Sequence, residues 1–388
     1  MHDVVVVGAG PGGAATAHFL AEQGASVLLL DRFAFPRDKT CGDGLTPRAV
    51  RVLDQMGILP AVARQGWPVE GYEVIAPNGR ATSAAITNPA GALVVPRQRL
   101  DATILERAIT SGARFEPRVT VSHLEPTGSH VRVHAAQGVF EARTAVVASG
   151  AATGVLLRSG ILKRQPPAML AARGYVEGVR THAALQLRFD GVPLPGYGWI
   201  FPVGAETANV GVGFLPRPRR RQPTARLAVE AFIAARLPGA RLCGPIKGYP
   251  IRVDFLHAPV IAERTLLVGE AAGLVNPLSG EGIDYALESG AMAARHILAE
   301  APLEAYERAL RQRFERLFRF SATIRDWYCL PPVLNTLVPL ANRRPALRQL
   351  LADIVLGERE PAGYGPATIL GRLLLYLART RRRTAAPA

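Results

Sequence analysis

The stretch DVVVVGAGPGG, Asp3 to Gly13, decides the fold. Its unbroken β-branched run reads as a strand buried on both faces of a parallel sheet. The spacing Gly8-x-Gly10-x-x-Gly13 follows, and the residues from Ala14 to Gln23 read as a helix stopped by Gly24. SVLLLD, Ser26 to Asp31, is a second strand, which completes a βαβ unit of about 30 residues. In such a unit Gly8 permits a tight turn, Gly10 lets a pyrophosphate approach, and Gly13 lets helix pack on strand. Pro11 and Gly12 complete the loop, and the helix N-terminus faces a diphosphate. Asp31, followed by Arg32, ends the second strand, where a carboxylate accepts hydrogen bonds from a ribose. An acid there fits an ADP-ribose without a 2′-phosphate, which means NAD or FAD.

Outward from this unit the chain alternates. A loop, FPRDKTCGDGLTPRAV (Phe35 to Val50), leads into a helix from about Pro47 to Gly57. YEVIAPNGRATSAAI carries strands around Asn78-Gly79, a hairpin signal. ALVVPRQRLDATILERAITSG reads as strand then helix, and HVRVHAAQGVFEARTAVVASG as a hairpin leading into a strand. The block from about Ala168 to Phe214 alternates and is punctuated by glycine, so an antiparallel sheet is expected. RTLLVGEAAG is strand then turn, and GEGIDYALESGAMAARHILAE an amphipathic helix. From Pro302 onward the pattern is helical, with prolines breaking it. Strand-turn-helix signatures of one nucleotide-binding domain therefore recur near residues 5, 148 and 269, with antiparallel segments inserted between them.

Composition bounds the function. The 388 residues are 48% apolar and 20% charged, ordinary for a folded chain with a large core. Cys41, Cys243 and Cys329 are far apart, so neither a disulfide framework nor metal-ligand spacing is present, which suits a reducing cytosol. The eight histidines show no paired spacing, and no metal site is expected. The chain starts directly on an apolar strand, so no signal peptide is expected, and no apolar run approaches the roughly 18 residues that span a bilayer. The net charge of +15 is nearly all arginine, as a GC-rich codon bias would also give. The clusters RPRRRQPTAR (Arg217 to Arg226) and RTRRRTAAPA at the end read either as solvated segments or as attraction to anionic headgroups or a diphosphate. No zinc-finger, helix-turn-helix or RNA-recognition motif occurs, which sets nucleic acid aside. No G-x-S-x-G occurs either, which argues against a hydrolase.

TLLVGEAAGLVNPLSGEGIDYAL (Thr265 to Leu287) resembles the late flavin-binding motif of the FAD-dependent family shaped like para-hydroxybenzoate hydroxylase. The resemblance implies that Gly269 and the next acid hold the flavin ribityl chain. It also implies that Pro277, Gly280 and Gly282 open a helix, beginning at Ile283, whose N-terminus points at the isoalloxazine. The usual acid is Asp, and Glu270 stands here. The same family places an arginine at the start of PRQRLDATIL near the flavin, here Arg97; the alternative is a surface helix charge. The family's middle Asp-Gly pair is reduced to ASGAATG, in which Gly150 remains and the Asp does not. There is no second G-x-G-x-x-G and hence no separate nicotinamide domain. Electrons would come from transiently bound NAD(P)H or from a partner reductase.

Two further motifs narrow the resemblance. PGYGWIFPVG carries Tyr197-x-Trp199-x-Phe201-Pro202, similar to the Y-x-W-x-F-P signature of the geranylgeranyl reductase family. DKTCGDGLTPRAV resembles that family's Cys-Gly loop, most closely its menaquinone side-chain reductase branch. The W-x-W-x-I-P signature of flavin halogenases is absent. The resemblance spans Val4 to about Leu298 and implies hydrogenation of isolated prenyl double bonds by reduced FAD. Its implied fold is α/β: a Rossmann-like FAD-binding domain in three parts (1–70, 96–160, 256–300), an inserted substrate domain of antiparallel strands (71–95, 161–255) and a helical C-terminal region (301–388).

Tyr197, Trp199 and Phe201 share one face of a strand at period two. They read either as sheet core or as the wall of an apolar slot that stabilises developing positive charge. Cys41 reads as a catalytic contact to flavin or substrate that takes part in proton supply, or as a small residue that fits beside the ring. Gly42 and Gly44 suggest close backbone approach to the cofactor. The Glu281 and Asp284 pair reads as acids that complement a helix dipole. The expected partners are a prenyl lipid or prenylquinone, and the expected location is the cytoplasm, peripheral at the inner membrane face. The competing readings are a flavin monooxygenase acting on an aromatic or polyene substrate, and a non-catalytic carrier or sensor of a prenyl lipid.

Overall fold

A computed structural model describes residues 1–217 and 222–349. The basic cluster at 217–226 is therefore described only in part, and the basic stretch at 379–388 lies outside the described residues.

The first sheet is built on the valine run. Val4, Val5 and Val6 are fully buried in the strand His2–Val7. That strand pairs in parallel with Val27–Asp31 on one side and Gly138–Val147 on the other. Arg114–Pro117 extends the sheet beyond Val27–Asp31, and Thr265–Leu267 beyond Gly138–Val147, both in parallel. The three segments that carry strand-turn-helix signatures are thus adjacent strands of one sheet, drawn from distant parts of the chain. The expected hairpin is Val131–Ala135 against Gly138–Val147, with Val121–Pro126 added outside it.

The first helix spans Pro11–Ala21, three residues earlier than the sequence suggests. Proline fits the first helical turn because its missing N–H has no partner there in any case. The helix Ile283–Leu298 packs against it, and the fit needs bare backbone: a Cβ on Gly290 would lie 2.5 Å from the Gly12 carbonyl oxygen.

The second sheet runs in the order Arg241–Leu242, Ala168–Glu177, Thr207–Phe214, Gly196–Gly204, Ala184–Arg188, Gly71–Ile75, Ala81–Ala85, with Lys247–Arg252 also paired to Ala168–Glu177. The Asn78-Gly79 hairpin forms as expected. Antiparallel pairing holds except at one place: Ala184–Arg188 runs parallel to Gly71–Ile75, because the intervening chain passes through the other sheet. A small third sheet joins Gly44–Leu45, Ala92–Val94 and Trp67–Val69. It holds the Cys41 loop beside the start of the helix Arg97–Thr110, and Val95 N–H donates to the Asp43 carbonyl at 2.8 Å.

Beyond Pro302 the chain is helical over Leu303–Thr323, widens into a π-turn at Ile324–Tyr328, and forms Pro331–Asn342. The helical run is interrupted before Pro331 and again before Pro345, as the sequence suggested, but Pro339 interrupts nothing. Pro331 begins the helix Pro331–Asn342, and Pro339 sits within it. The long helix is anchored by Phe314 and Phe318, whose rings pack edge-on against Tyr285 and Phe255. Among the described residues no helix is long and apolar enough to cross a membrane.

Candidate active site

A cavity of about 590 Å³ runs from the glycine loop, past the Cys41 loop, to the aromatic strand Gly196–Gly204. Its first end is the dinucleotide loop. Gly8 has φ +106°, and a Cβ there would lie 2.5 Å from the Ala148 carbonyl oxygen, so only glycine makes this turn. A Cβ on Gly13 would lie 1.8 Å from the Gly8 carbonyl oxygen, which fixes it as the helix-on-strand contact. A Cβ on Gly10 would meet nothing nearer than the Arg37 guanidinium at 3.5 Å; its backbone is open to the cavity. The three glycines meet the three demands of a pyrophosphate cradle. Asp31 accepts from Ala9 N–H and from Phe33 N–H, each at 2.8 Å, so one carboxylate fixes both sides of the cradle. Arg32, Pro11 and Gly12 line the same end.

The middle of the cavity is bounded by the late motif. Gly269 starts a short 3₁₀ turn, Gly269–Ala272, and its N–H donates to Ser289 Oγ. Glu270 lines the cavity beside Gly150, whose Cβ would lie 3.5 Å from Glu270 Oε2. Glu270 Oε1 accepts from the Arg252 N–H at 3.0 Å, and Lys39 Nζ lies 3.9 Å from Oε2. The extra methylene of Glu over Asp is thus accommodated by a backbone donor on a neighbouring strand. Gly280, Gly282 and Ile283 line the cavity at the N-terminus of the helix Ile283–Leu298. Glu281 Oε1 accepts from Ile283 N–H at 2.9 Å and so caps that helix.

The far end holds the Cys41 loop, Arg97 and the aromatic strand. Arg97 is buried and pairs with Asp101 through two bonds of 2.7 Å. Burial works to depress the guanidinium pKa, and the Asp101 carboxylate overcomes this and raises it. Arg97 stays charged inside the cavity wall and is no surface residue. Burial pushes the Cys41 thiol up, with Arg97 pulling the other way, so the thiol keeps its proton at neutral pH. Burial likewise lowers Lys39, which stacks over the Tyr249 ring at 4.5 Å.

Tyr197, Trp199 and Phe201 form a tilted row, with ring centroids 6.1 Å and 6.4 Å apart. All three line the cavity. Their surroundings differ. The Trp199 indole lies over Gly211 of the neighbouring strand, where a Cβ would be 2.1 Å from its ring. Gly42 lies against Phe201 and Trp199, with a Cβ position 3.1 Å from the Phe201 ring. Its bareness brings the Cys41 loop onto the aromatic row. The Tyr197 hydroxyl donates to the Ser279 carbonyl and ties that row to the late motif.

Most of the residues singled out from sequence meet at this cavity. Gly13, Gly269, Pro202 and Pro277 do not line it and stand behind it as packing. Sequence reading passed over Asp43, Tyr175 and Asn209. Asp43 stands in the quoted loop and is fully buried; its Oδ2 accepts from Tyr175 Oη at 2.5 Å and from Asn209 Nδ2 at 2.8 Å. Asn209 also donates to the Cys41 carbonyl and accepts from Trp199 Nε1. A lone Asn in the otherwise apolar strand TANVGVGF was the available signal.

No group of His, Cys, Asp and Glu able to hold a metal ion occurs among the described residues. The glycine cradle, Asp31, the helix N-terminus at Ile283 and the buried cation Arg97 fit a dinucleotide whose reactive ring is apolar and carries partial negative charge. FAD is that group, and when bound it supplies two-electron transfer as hydride.

The site defines a flavoprotein oxidoreductase. The sequence family described as an FAD binding domain matches residues 1–151. The menaquinone reductase of Mycobacterium tuberculosis is 34% identical over 378 residues, covering 91% of this chain and 90% of that protein. A digeranylgeranylglycerophospholipid reductase of Methanopyrus kandleri is 32% identical over 327 residues, covering 79% of this chain and 81% of that one. In fold, the chain is similar to a geranylgeranyl bacteriochlorophyll reductase-like protein of Thermoplasma acidophilum, with a TM-score of 0.78, 21% identity, and 91% and 99% of the two chains covered. It is also similar to a flavin-dependent brominase, with a TM-score of 0.77 and 20% identity over 98% and 99% of the two chains. The chain belongs to the FAD-dependent geranylgeranyl reductase family, alongside its menaquinone reductases.

Proposed function

We propose that this protein hydrogenates isolated double bonds in the prenyl side chain of a menaquinone-like quinone, or in a geranylgeranyl lipid, with hydride from reduced FAD. The observation that carries this reading is the single cavity that joins a dinucleotide cradle to an aromatic row, with a protonated thiol between them. An unactivated alkene needs a hydride at one carbon and a proton at the other. It also needs a dry, shaped slot, which Tyr197, Trp199 and Phe201 supply. The names of the 34% and 32% identical relatives support the same chemistry.

In this reading Cys41, Tyr197 and Trp199 act on the substrate, and the aromatic face grips its isoprene units. Electrons come from transiently bound NAD(P)H or from a partner reductase. The protein works as a peripheral protein at the inner face of the membrane, where prenylquinones reside, and its arginine excess serves that contact.

The test is direct. Reduced, FAD-loaded protein is incubated under nitrogen with prenylquinones and geranylgeranyl lipids, and products are weighed by mass spectrometry. Gain of two hydrogens per saturated bond is expected. A product that forms only in air and carries added oxygen would replace this reading with a monooxygenase. No mass change with any such lipid would leave a lipid-binding flavoprotein.

A further inference from the structure

The Cys41 thiol can give one proton and then needs a source to replace it. Asp43 lies directly behind it. Its N–H donates to Cys41 Sγ at 3.4 Å, and its backbone adopts φ +65° to turn the loop there. The carboxyl group is fully buried and lines the cavity. Oδ2 has two donors, Tyr175 Oη and Asn209 Nδ2. Oδ1 has no hydrogen-bond partner. An ionised carboxylate with one bare buried oxygen is costly, and a proton on that oxygen removes the charge.

We propose that Asp43 is the proton relay of the cavity: it takes up a proton through Tyr175 and passes it to the Cys41 loop after each reduction. This rests on the reading of the site as a prenyl double-bond reductase. As the flavin's hydride reaches one alkene carbon, the Cys41 S–H bond breaks and its proton forms a C–H bond at the other. The thiolate left behind, facing Arg97, takes the proton from the Asp43 O–H bond. The Asp43 carboxylate is reprotonated through Tyr175, whose hydroxyl gives one proton as it takes another from solvent. One solvent proton is consumed for each bond saturated.

The surroundings suit the role. Burial pushes the Asp43 carboxyl up to about 6, against the lowering effect of its Tyr175 and Asn209 hydrogen bonds and of Arg173 and Arg97. The strand Ala168–Glu177 presents Tyr175 and Arg173, with the Arg173 guanidinium 4.5 Å over the Tyr175 ring. The strand Thr207–Phe214 presents Asn209, the helix Arg97–Thr110 presents Arg97 paired with Asp101, and the loop itself presents Cys41 and Lys39. Tyr175 is half-buried, unlike the closed carboxyl to which it donates. Arg173 in turn pairs with Asp38 at 2.5 Å, and Asp38 with Lys247 at 2.7 Å, which marks a polar path to the surface.

The test uses oxidised, FAD-loaded protein and infrared spectra across about pH 5 to 8. Wild type is expected to show a protonated-carboxyl band lost with a midpoint near 6, absent in Asp43→Asn. Asparagine keeps the acceptor for Tyr175 and Asn209 and is neutral, so the variant folds and retains FAD. In Tyr175→Phe the midpoint rises, because a bond that lowers the carboxyl pKa is gone. In anaerobic turnover with a prenylquinone, Asp43→Asn loses about 10²-fold in rate, the scale of one positioned acid. A carboxyl band unchanged in Asp43→Asn, or a full rate in that variant, overturns the proposal. Failure of wild type to reduce any prenyl lipid overturns the reductase reading instead, while the infrared titration still reports on Asp43.

Discussion

Trp199 Nε1 donates to Asn209 Oδ1 at 2.9 Å, and the amide nitrogen of the same Asn209 holds the Cys41 carbonyl at 2.8 Å. One side chain therefore sets the distance between the aromatic row and the thiol loop. Asn209→Leu fills similar volume and strands the indole N–H and the Cys41 carbonyl. A loss of about 2 to 3 kcal/mol is expected from the unpaired buried groups. Urea unfolding measures it, and an unchanged midpoint would show that the amide is dispensable.

Gly13→Ala should empty the flavin site. The new methyl would sit 1.8 Å from the Gly8 carbonyl oxygen, in the turn we assign to the diphosphate. The loop must move, so the protein is expected to purify colourless with normal far-ultraviolet dichroism. A yellow protein with full FAD occupancy contradicts the assignment.

Arg97→Ala leaves Asp101 buried with only Arg37, 3.2 Å away, as a cation. Breaking a buried pair costs about 3 kcal/mol. Arg97→Lys restores charge without the two-bond fork and is expected to recover part of it. Equal stability of both variants with wild type, in thermal unfolding, would mean that Arg37 suffices.

The Asp43 carboxyl sits near 6 when folded against its ordinary 3.8. A raised acid pKa makes the folded state the better proton binder between these values. Its contribution therefore weakens as pH rises from 3.8 to about 6 and stays unfavourable above. Asp43→Asn removes the burden, so the variant is expected to gain up to about 3 kcal/mol at pH 8 and nothing near pH 4. Chemical denaturation at several pH values checks this; a gain that does not depend on pH rules it out.

Cys41→Ser keeps FAD and slows or redirects double-bond reduction, because a hydroxyl is the weaker acid in the same buried place. An unchanged rate and product pattern would reduce Cys41 to a packing residue.

The nucleotide-binding half was legible because glycine spacing and a valine run leave few alternatives. Gly8 and Gly13 sit where any side chain collides with backbone, so their identity carried the geometry. The aromatic row was legible from period-two spacing. Asp43 was not, although it lies two residues from the cysteine. Its role comes from Tyr175 and Asn209, which reach it from strands more than a hundred residues away, and pairings over that span leave no local pattern. The parallel pairing of Ala184–Arg188 with Gly71–Ile75 was hidden for the same reason. Helix continuity through Pro339 depends on tertiary packing, which overrides a local breaker.

The interleaving of the two sheets has a consequence for how the chain is made. The strand His2–Val7 is made well before its neighbour Gly138–Val147, and the strand beyond that is Thr265–Leu267. The cavity wall is closed only by the turn before Ile283. A nascent chain short of that point has no complete cradle and must wait with its sheet edges open, in reach of chaperones and proteases. FAD can capture only the finished fold, so its supply acts as a late checkpoint on which newly made molecules survive.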